Sequence, residues 1–484
     1  MRSADLLALD ATTLSRRIAA REVSCRELMT ATLARIEALN PRFNAIVSLR
    51  DPAQSLAEAD ERDAQLARGE RLGWMHGFPL AVKDLSHAAG LPTSMGSPLA
   101  PRTPARADSL HVARARNAGA IVIGKTNTPE FGLGSHTYNT VFGTTLNAFD
   151  PTKSAGGSSG GAAVALALGM LPVADGSDMM GSLRNPAAFN NVIGFRPSRG
   201  RVPGSPDEEL FFQQLGSEGP MARTVEDAAR LLSVQAGFDR RVPLSLPGGL
   251  PAPDALQLKG DTKGLRIGWL GSIWPDLPLA PGVRELCERA LKTFSDLGCV
   301  VEPCELDVPR EQNWTAWLHL RQMLVGGKLG AVYADPALRK RLKPEAQWEV
   351  EQSLKLDAAA IYRATVYRSN VFRAFVRVFE TFDFVAAPTA QVFPFDAQLP
   401  WPDKVGDVAS DTYHRWMEIV TPFTLAGLPT LNLRAGFGDG GLPMGLQLAG
   451  PIHGDLEVLR LGSAYDKSCE WRDVHPPVLD ELPA

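Results

Sequence analysis

The chain has 484 residues, 44% hydrophobic and 21% charged, with a formal net charge of −4. That is the make-up of an ordinary globular protein with a large core, and it excludes a disordered chain and an electrostatically driven nucleic-acid or anionic-membrane binder. Five cysteines without a C-x-x-C pair fit reduced thiols in the cytoplasm better than a disulfide framework.

Residues 3–70 carry apolar side chains at i, i+3, i+4 spacing and are expected to form several amphipathic helices. The opening residues lack the uninterrupted apolar stretch of a signal peptide. A short apolar run, "FPLAV", then ends in the charged pair Lys83–Asp84, and "LHVARARNAGAIVIGKTN" predicts a helix, a glycine stop and the strand "AIVIG". "KSAGGSSGGAAVA" at 153–165 leads into a helix, followed by the strand "LPVA". The longest apolar run, 162–174, is too short to cross a bilayer.

Residues 237–262 are rich in proline and glycine and form the best linker candidate. "GLRIGWLG", "PGVRELCERALKTFSDLG" and "CVVEPCEL" predict a strand–helix–strand unit. Residues 310–380 are expected to be mostly helical, with Trp314, Trp317 and Trp348 as core or as substrate platform. The end returns to strands, "PTLNLRAGF" and "PMGLQLAG", and a last helix, "GDLEVLRLGSAYD". Strands mixed with helices throughout imply one α/β domain.

Two motif matches fail on mechanism. "GAIVIGKT" at 119–126 fits the P-loop expression, but the residues between its glycines are the strand itself, and a proline stands where a helix should begin. "GSSGG" at 157–161 fits a nucleophile elbow centred on Ser159, yet "NAFDPTKSAG" before it is a poor strand.

A different set holds together: Lys83, the glycine-flanked pair Ser158–Ser159, and Ser182 in "DGSDMMGSLRNPAAF". A serine hydroxyl becomes a competent nucleophile when a base removes its proton. Lysine can be that base only when neutral, which burial favours. "GGSSGG" with "GSDMMGSLRNPAAF", "GFPLAVKDLSHAAGLPTSMGS", "IGKTNTPEFGLGS" and "AGLPTLNLRAGFGDGGLPMGLQLAGP" resemble the defining blocks of the amidase signature family of serine hydrolases. The likeness covers residues 75–235 and 380 to the end, and is weakest over 240–380.

The resemblance implies an α/β amidase signature fold, with a central mixed β-sheet covered on both faces by helices. It implies a single amidase domain over 1–484: N-terminal helices to 70, a signature core at 75–235, a variable, partly helical insert at 240–380, and C-terminal strands and helix at 381–484. By position, Lys83 corresponds to the general base, Ser158 to the serine after a cis peptide bond, and Ser182 to the nucleophile, 24 positions on. The N–H groups of Met179, Met180, Gly181 and Ser182 correspond to the oxyanion hole, with Gly156, Ser159, Asp178 and Arg184 in binding or supporting places. Arg184 either pairs with an acidic neighbour, the favoured reading, or binds a substrate carboxylate.

The implied activity is cleavage of a carbonyl–nitrogen bond in a small-molecule amide, a neutral and largely apolar or aryl one. No metal, cofactor, nucleic-acid or membrane partner is implied, and the chain is expected to be a monomer or homodimer. An ester- or carbamate-cleaving enzyme and the glutaminase subunit of a tRNA-dependent amidotransferase are the alternatives. One departure stands out: the family writes D-x-G-G-S where this chain has "DMMGS". Met180 would be strained if its backbone needed φ > 0. Otherwise it fills core or narrows an apolar pocket.

Overall fold

The N-terminal periodicity folds as four helices, Ser3–Ala8, Ala11–Ala19, Cys25–Phe43 and Pro52–Ala67, in a computed structural model that describes residues 3–206 and 209–482. Their starts are encoded locally. Asp10 accepts the Thr13 N–H, Ser24 and Glu27 form a reciprocal capping box, and Asp51 precedes a proline at the first helical position.

Strands β1 (Ile46–Val47), β2 (Pro79–Lys83) and β3 (Ile121–Thr126) form a three-stranded sheet in the order β1-β3-β2. The larger sheet contains β4 (Val173–Asp178), β5 (Ile193–Arg196), β6 (Ser217–Ala222), β7 (Arg266–Trp269), β8 (Val300–Pro303), β9 (Phe384–Pro388), β10 (Thr430–Phe437) and β11 (Pro443–Ala449). Its order is β8-β7-β9-β11-β10-β5-β6-β4. β7 pairs in parallel with β8 and β9, and the remaining pairs are antiparallel, so the sheet is mixed. The predicted strand–helix–strand unit is β7, the helix Val283–Asp296 and β8. Every residue of β2, β3, β5, β9 and β11 is buried, as expected where both faces are covered.

The fold is the expected mixed α/β architecture: among the described residues, beside the large mixed sheet stand the three-stranded sheet and two small two-stranded ladders. β2 packs beside β4, but no ladder joins them among the described residues. Across this seam the Lys83 N–H donates instead to the side chain of Asp175, 3.2 Å from each carboxylate oxygen. A carboxylate thus does there what a strand carbonyl does elsewhere.

The rejected P-loop lysine, Lys125, lies within β3, buried and 3.4 Å from Asp84. Residues 237–262 contain only the short turn Pro253–Ala255. The 310–380 stretch is helical at Arg310–Ala334, Pro336–Arg339, Pro344–Ser353 and Ala358–Val378. A separate apolar cluster, including Leu133, Val325, Leu329 and Val350, seats this insert on the turn that follows Glu130. Among the described residues no helix is long and apolar enough to cross a membrane.

Candidate active site

Lys83 ends β2 and is fully buried. Its Nζ lies 2.9 Å from Ser158 Oγ, 2.7 Å from Ser159 Oγ and 3.0 Å from Ser177 Oγ. Burial pushes the amine down from its ordinary 10.5 to about 8, against the opposing pull of Glu218, Asp175 and Asp178. A neutral amine has two hydrogens and one lone pair, so among three hydroxyls one can donate to it. That arrangement suits a base.

The Gly157–Ser158 peptide is cis. Gly156 sits at φ +70°, where a Cβ would stand 2.9 Å from the Pro186 Cα. Its carbonyl accepts the Thr137 N–H at 3.1 Å and the Thr137 hydroxyl at 2.8 Å. Ser135 donates its hydroxyl to the Gly157 carbonyl. The serine pair is therefore held from the 135–137 side before the helix Gly160–Ala167 begins.

Ser182 is the most open of the three relay candidates, 7% exposed against 2% for Ser158 and 0% for Lys83. Its carbonyl accepts the Ser159 N–H at 3.2 Å, tying the two segments together. No side-chain hydrogen bond joins Ser158 to Ser182 among the described residues.

The segment 178–183 that carries Ser182 is braced by Asp178. Asp178 accepts the Gly181 N–H at 2.9 Å and the Leu183 N–H at 3.2 Å. Burial would raise its carboxyl, but Arg184 and Arg196 hold it well below the usual carboxylate range. Arg184 is buried and fully committed. Its Nε and Nη2 donate to the two oxygens of Asp178, Nη1 to Gln447 at 2.8 Å, and Nη2 also to Thr424 at 3.0 Å. No donor group of this arginine is left without a protein partner.

Of the four N–H groups expected at the oxyanion, that of Gly181 donates to Asp178 in this structure. Gly181, at φ +76°, is the residue in the left-handed region, and Met180 is not. The methionine is thus accommodated without backbone strain and packs into the main core at 4% exposure.

Met179 is half-buried, and its sulfur receives Arg321 Nη1 at 3.5 Å. Arg321, from the insert, also donates to Glu349 at 2.5 Å and to the Tyr413 hydroxyl at 2.8 Å. Sequence reasoning missed this network because its members lie far apart in the chain. It also missed Ser177 and Asp175, for which a signal exists: on a strand, alternate residues share a face, which places 175 and 177 together.

Trp314 and Trp317 are buried, while Trp348 walls a cavity of about 430 Å³ among the insert helices, with His319, Gln322 and Arg363. None of the relay candidates lines that cavity. No group of three His, Cys, Asp or Glu side chains stands ready for a metal among the described residues.

The chain is similar to known proteins over almost its whole length. The family described as Amidase matches residues 27–459. A glutamyl-tRNA(Gln) amidotransferase subunit of Acidothermus cellulolyticus is 34% identical, the alignment covering 97% of this chain and 96% of the relative. An acylamidase of Rhodococcus erythropolis is 32% identical, with 97% of each chain covered. The crystal structure of a bacterial aryl acylamidase of the amidase signature enzymes superposes with a TM-score of 0.90 at 29% identity, covering 98% of this chain and 99% of that one. With a buried lysine on a serine pair and a family match over most of its length, this chain belongs to the amidase signature family of hydrolases.

Proposed function

We propose that the chain hydrolyses the carbonyl–nitrogen bond of a neutral, largely apolar or aryl amide through an acyl-enzyme on Ser182. The observation that carries this reading is the fully buried Lys83 amine, 2.9 Å from Ser158 Oγ. Neutral Lys83 accepts the proton of Ser158, and Ser158 takes that of Ser182 as its oxygen attacks the carbonyl. The serine-to-serine contact closes when substrate is bound, as catalytic hydrogen bonds commonly tighten in the complex. The N–H groups of Met179, Met180 and Ser182 stabilise the developing oxyanion. The leaving amine takes the proton back through Ser158, the carbon–nitrogen bond breaks, and water cleaves the acyl-serine by the same relay.

Because the relay needs neutral lysine, the rate is expected to rise about tenfold per pH unit at low pH and level off near pH 8, where burial has brought Lys83. A kcat/KM profile that is flat from pH 6 to 9 would sink this reading.

The apolar preference is supported by the half-buried Met179 next to the segment that carries Ser182 and by the likeness to acylamidases. A glutaminase reading is supported by the 34% identity to an amidotransferase subunit. The test is the purified chain, alone, on a 4-nitroanilide, the matching aryl ester and carbamate, and glutamine. Anilide turnover without added subunits is expected. Glutamine turned over far better than the anilide would overturn the apolar preference, and preferential ester or carbamate cleavage would overturn the amide assignment.

A further inference from the structure

Lys83 stands at the seam between the two larger sheets, where no backbone ladder supplies an acceptor for its N–H. Asp175 of β4 does so, its two oxygens each 3.2 Å from that N–H. Behind it lies His111, near the start of the helix Leu110–Asn117, with Nε2 3.4 Å from Asp175 Oδ2. Asp175 and His111 are each 2% exposed. Both ring nitrogens of His111 are buried without a hydrogen bond among the described residues, and the 3.4 Å approach to Asp175 is its ion-pair contact. The acidic group that the imidazole touches is the carboxylate that holds Lys83.

We infer that Asp175 and His111 are positioning residues for the base: together they fix the Lys83 main chain at the seam and set the pH at which its amine becomes neutral. The inference rests on the reading of Lys83 as general base.

The signs follow from the charges. Asp175 carries a buried negative charge that raises the proton affinity of Lys83. His111 shares that carboxylate, whether as a neutral N–H donor or as an imidazolium, and so weakens its pull on the lysine. Other buried charges face the same space. Glu218 of β6 acts on both Lys83 and His111, Asp178 acts on Lys83, and Lys125 of β3, paired with Asp84, acts on His111. Asp175 is the one whose two oxygens hold the Lys83 N–H and whose Oδ2 lies 3.4 Å from the His111 ring.

Opposite substitutions should therefore move the base in opposite directions. Asp175→Asn keeps an acceptor for the Lys83 N–H and removes the charge, so Lys83 loses its proton at lower pH. His111→Leu leaves the carboxylate unshared, so Lys83 holds its proton to higher pH. His111→Gln can still donate to Asp175 and should return the behaviour towards the parent chain.

The experiment is the pH dependence of inactivation by a fluorophosphonate, measured on the full chain and these three variants, with melting temperature recorded alongside. The acid-limb midpoint is expected to fall for Asp175→Asn and rise for His111→Leu, each by about half a pH unit or more, with His111→Gln between His111→Leu and the parent. Should Asp175→Asn not fold, the leucine and glutamine variants carry the test alone. Unmoved midpoints with only a lower plateau rate, or midpoints that move the same way, overturn the inference. Lys83→Met separates the two readings: if it reacts at the parent rate, the base assignment itself is wrong. If it is inert while the midpoints stay put, only the role of Asp175 and His111 is lost.

Discussion

Ser182→Ala is expected to abolish covalent labelling by a fluorophosphonate, and Lys83→Met to slow both labelling and amide turnover by about 10⁴-fold. Methionine is chosen because it keeps an unbranched chain in the β2 slot while removing the amine. The loss would be chemical in origin. Without Nζ, Ser158 and Ser159 each lose their amine partner at 2.9 and 2.7 Å, and among the described residues no other hydrogen-bond partner of Ser158 Oγ can take its proton. Groups that act as a relay are not additive, so Lys83→Met with Ser182→Ala should be little worse than Ser182→Ala alone. Peptide mapping reads the result directly. A label on Ser159 that survives Ser182→Ala would show that the other serine of the pair is the nucleophile.

Arg184→Met is expected to cost about 3–5 kcal/mol of stability, the consequence of leaving a buried carboxylate short of its partner. Arg184 binds both oxygens of Asp178 and reaches Gln447 and Thr424 at the far side, all out of contact with water. Arg196 also pairs with Asp178 and limits the damage without replacing the two-pronged contact. Arg184→Lys should rescue little, since one ammonium with three hydrogens cannot serve the acceptors that the guanidinium reaches on Asp178, Val420, Gln447 and Thr424. The urea midpoint measures the cost, and activity should fall with it because Asp178 holds the Gly181 and Leu183 N–H groups in place. An Arg184 that bound substrate carboxylate would behave otherwise, raising KM for acidic substrates while leaving the urea midpoint where it was.

Much of this protein is legible in its sequence. The helices of residues 3–70 follow from apolar spacing and local caps, which are short-range and need no tertiary context. β2 and β3 appear as short β-branched and apolar runs, and the strand–helix–strand unit around residues 266–303 as a change of period. The relay candidates are legible for a different reason: serines among glycines and a lysine closing an apolar run are distinctive as a set, and the resemblance supplies their register.

What only the tertiary structure decided depends on groups that meet across long stretches of chain. The seam between the sheets is one case, since whether β2 pairs with β4 is a matter of ladder hydrogen bonds that no local pattern encodes. Its consequence, Asp175 holding the Lys83 N–H with His111 behind, joins three segments of the chain. The Met179–Arg321 contact likewise depends on how the insert folds back over the oxyanion segment. The question raised by Met180 was conformational, and was answered when the left-handed backbone fell on Gly181 instead. The Gly181 N–H, one of the four that the resemblance places at the oxyanion, donates to Asp178 here, a contact that no motif announces. Sequence therefore determined which chemistry the chain carries. The fold decided which of its donors are free to perform it, because that depends on every neighbour competing for the same hydrogen.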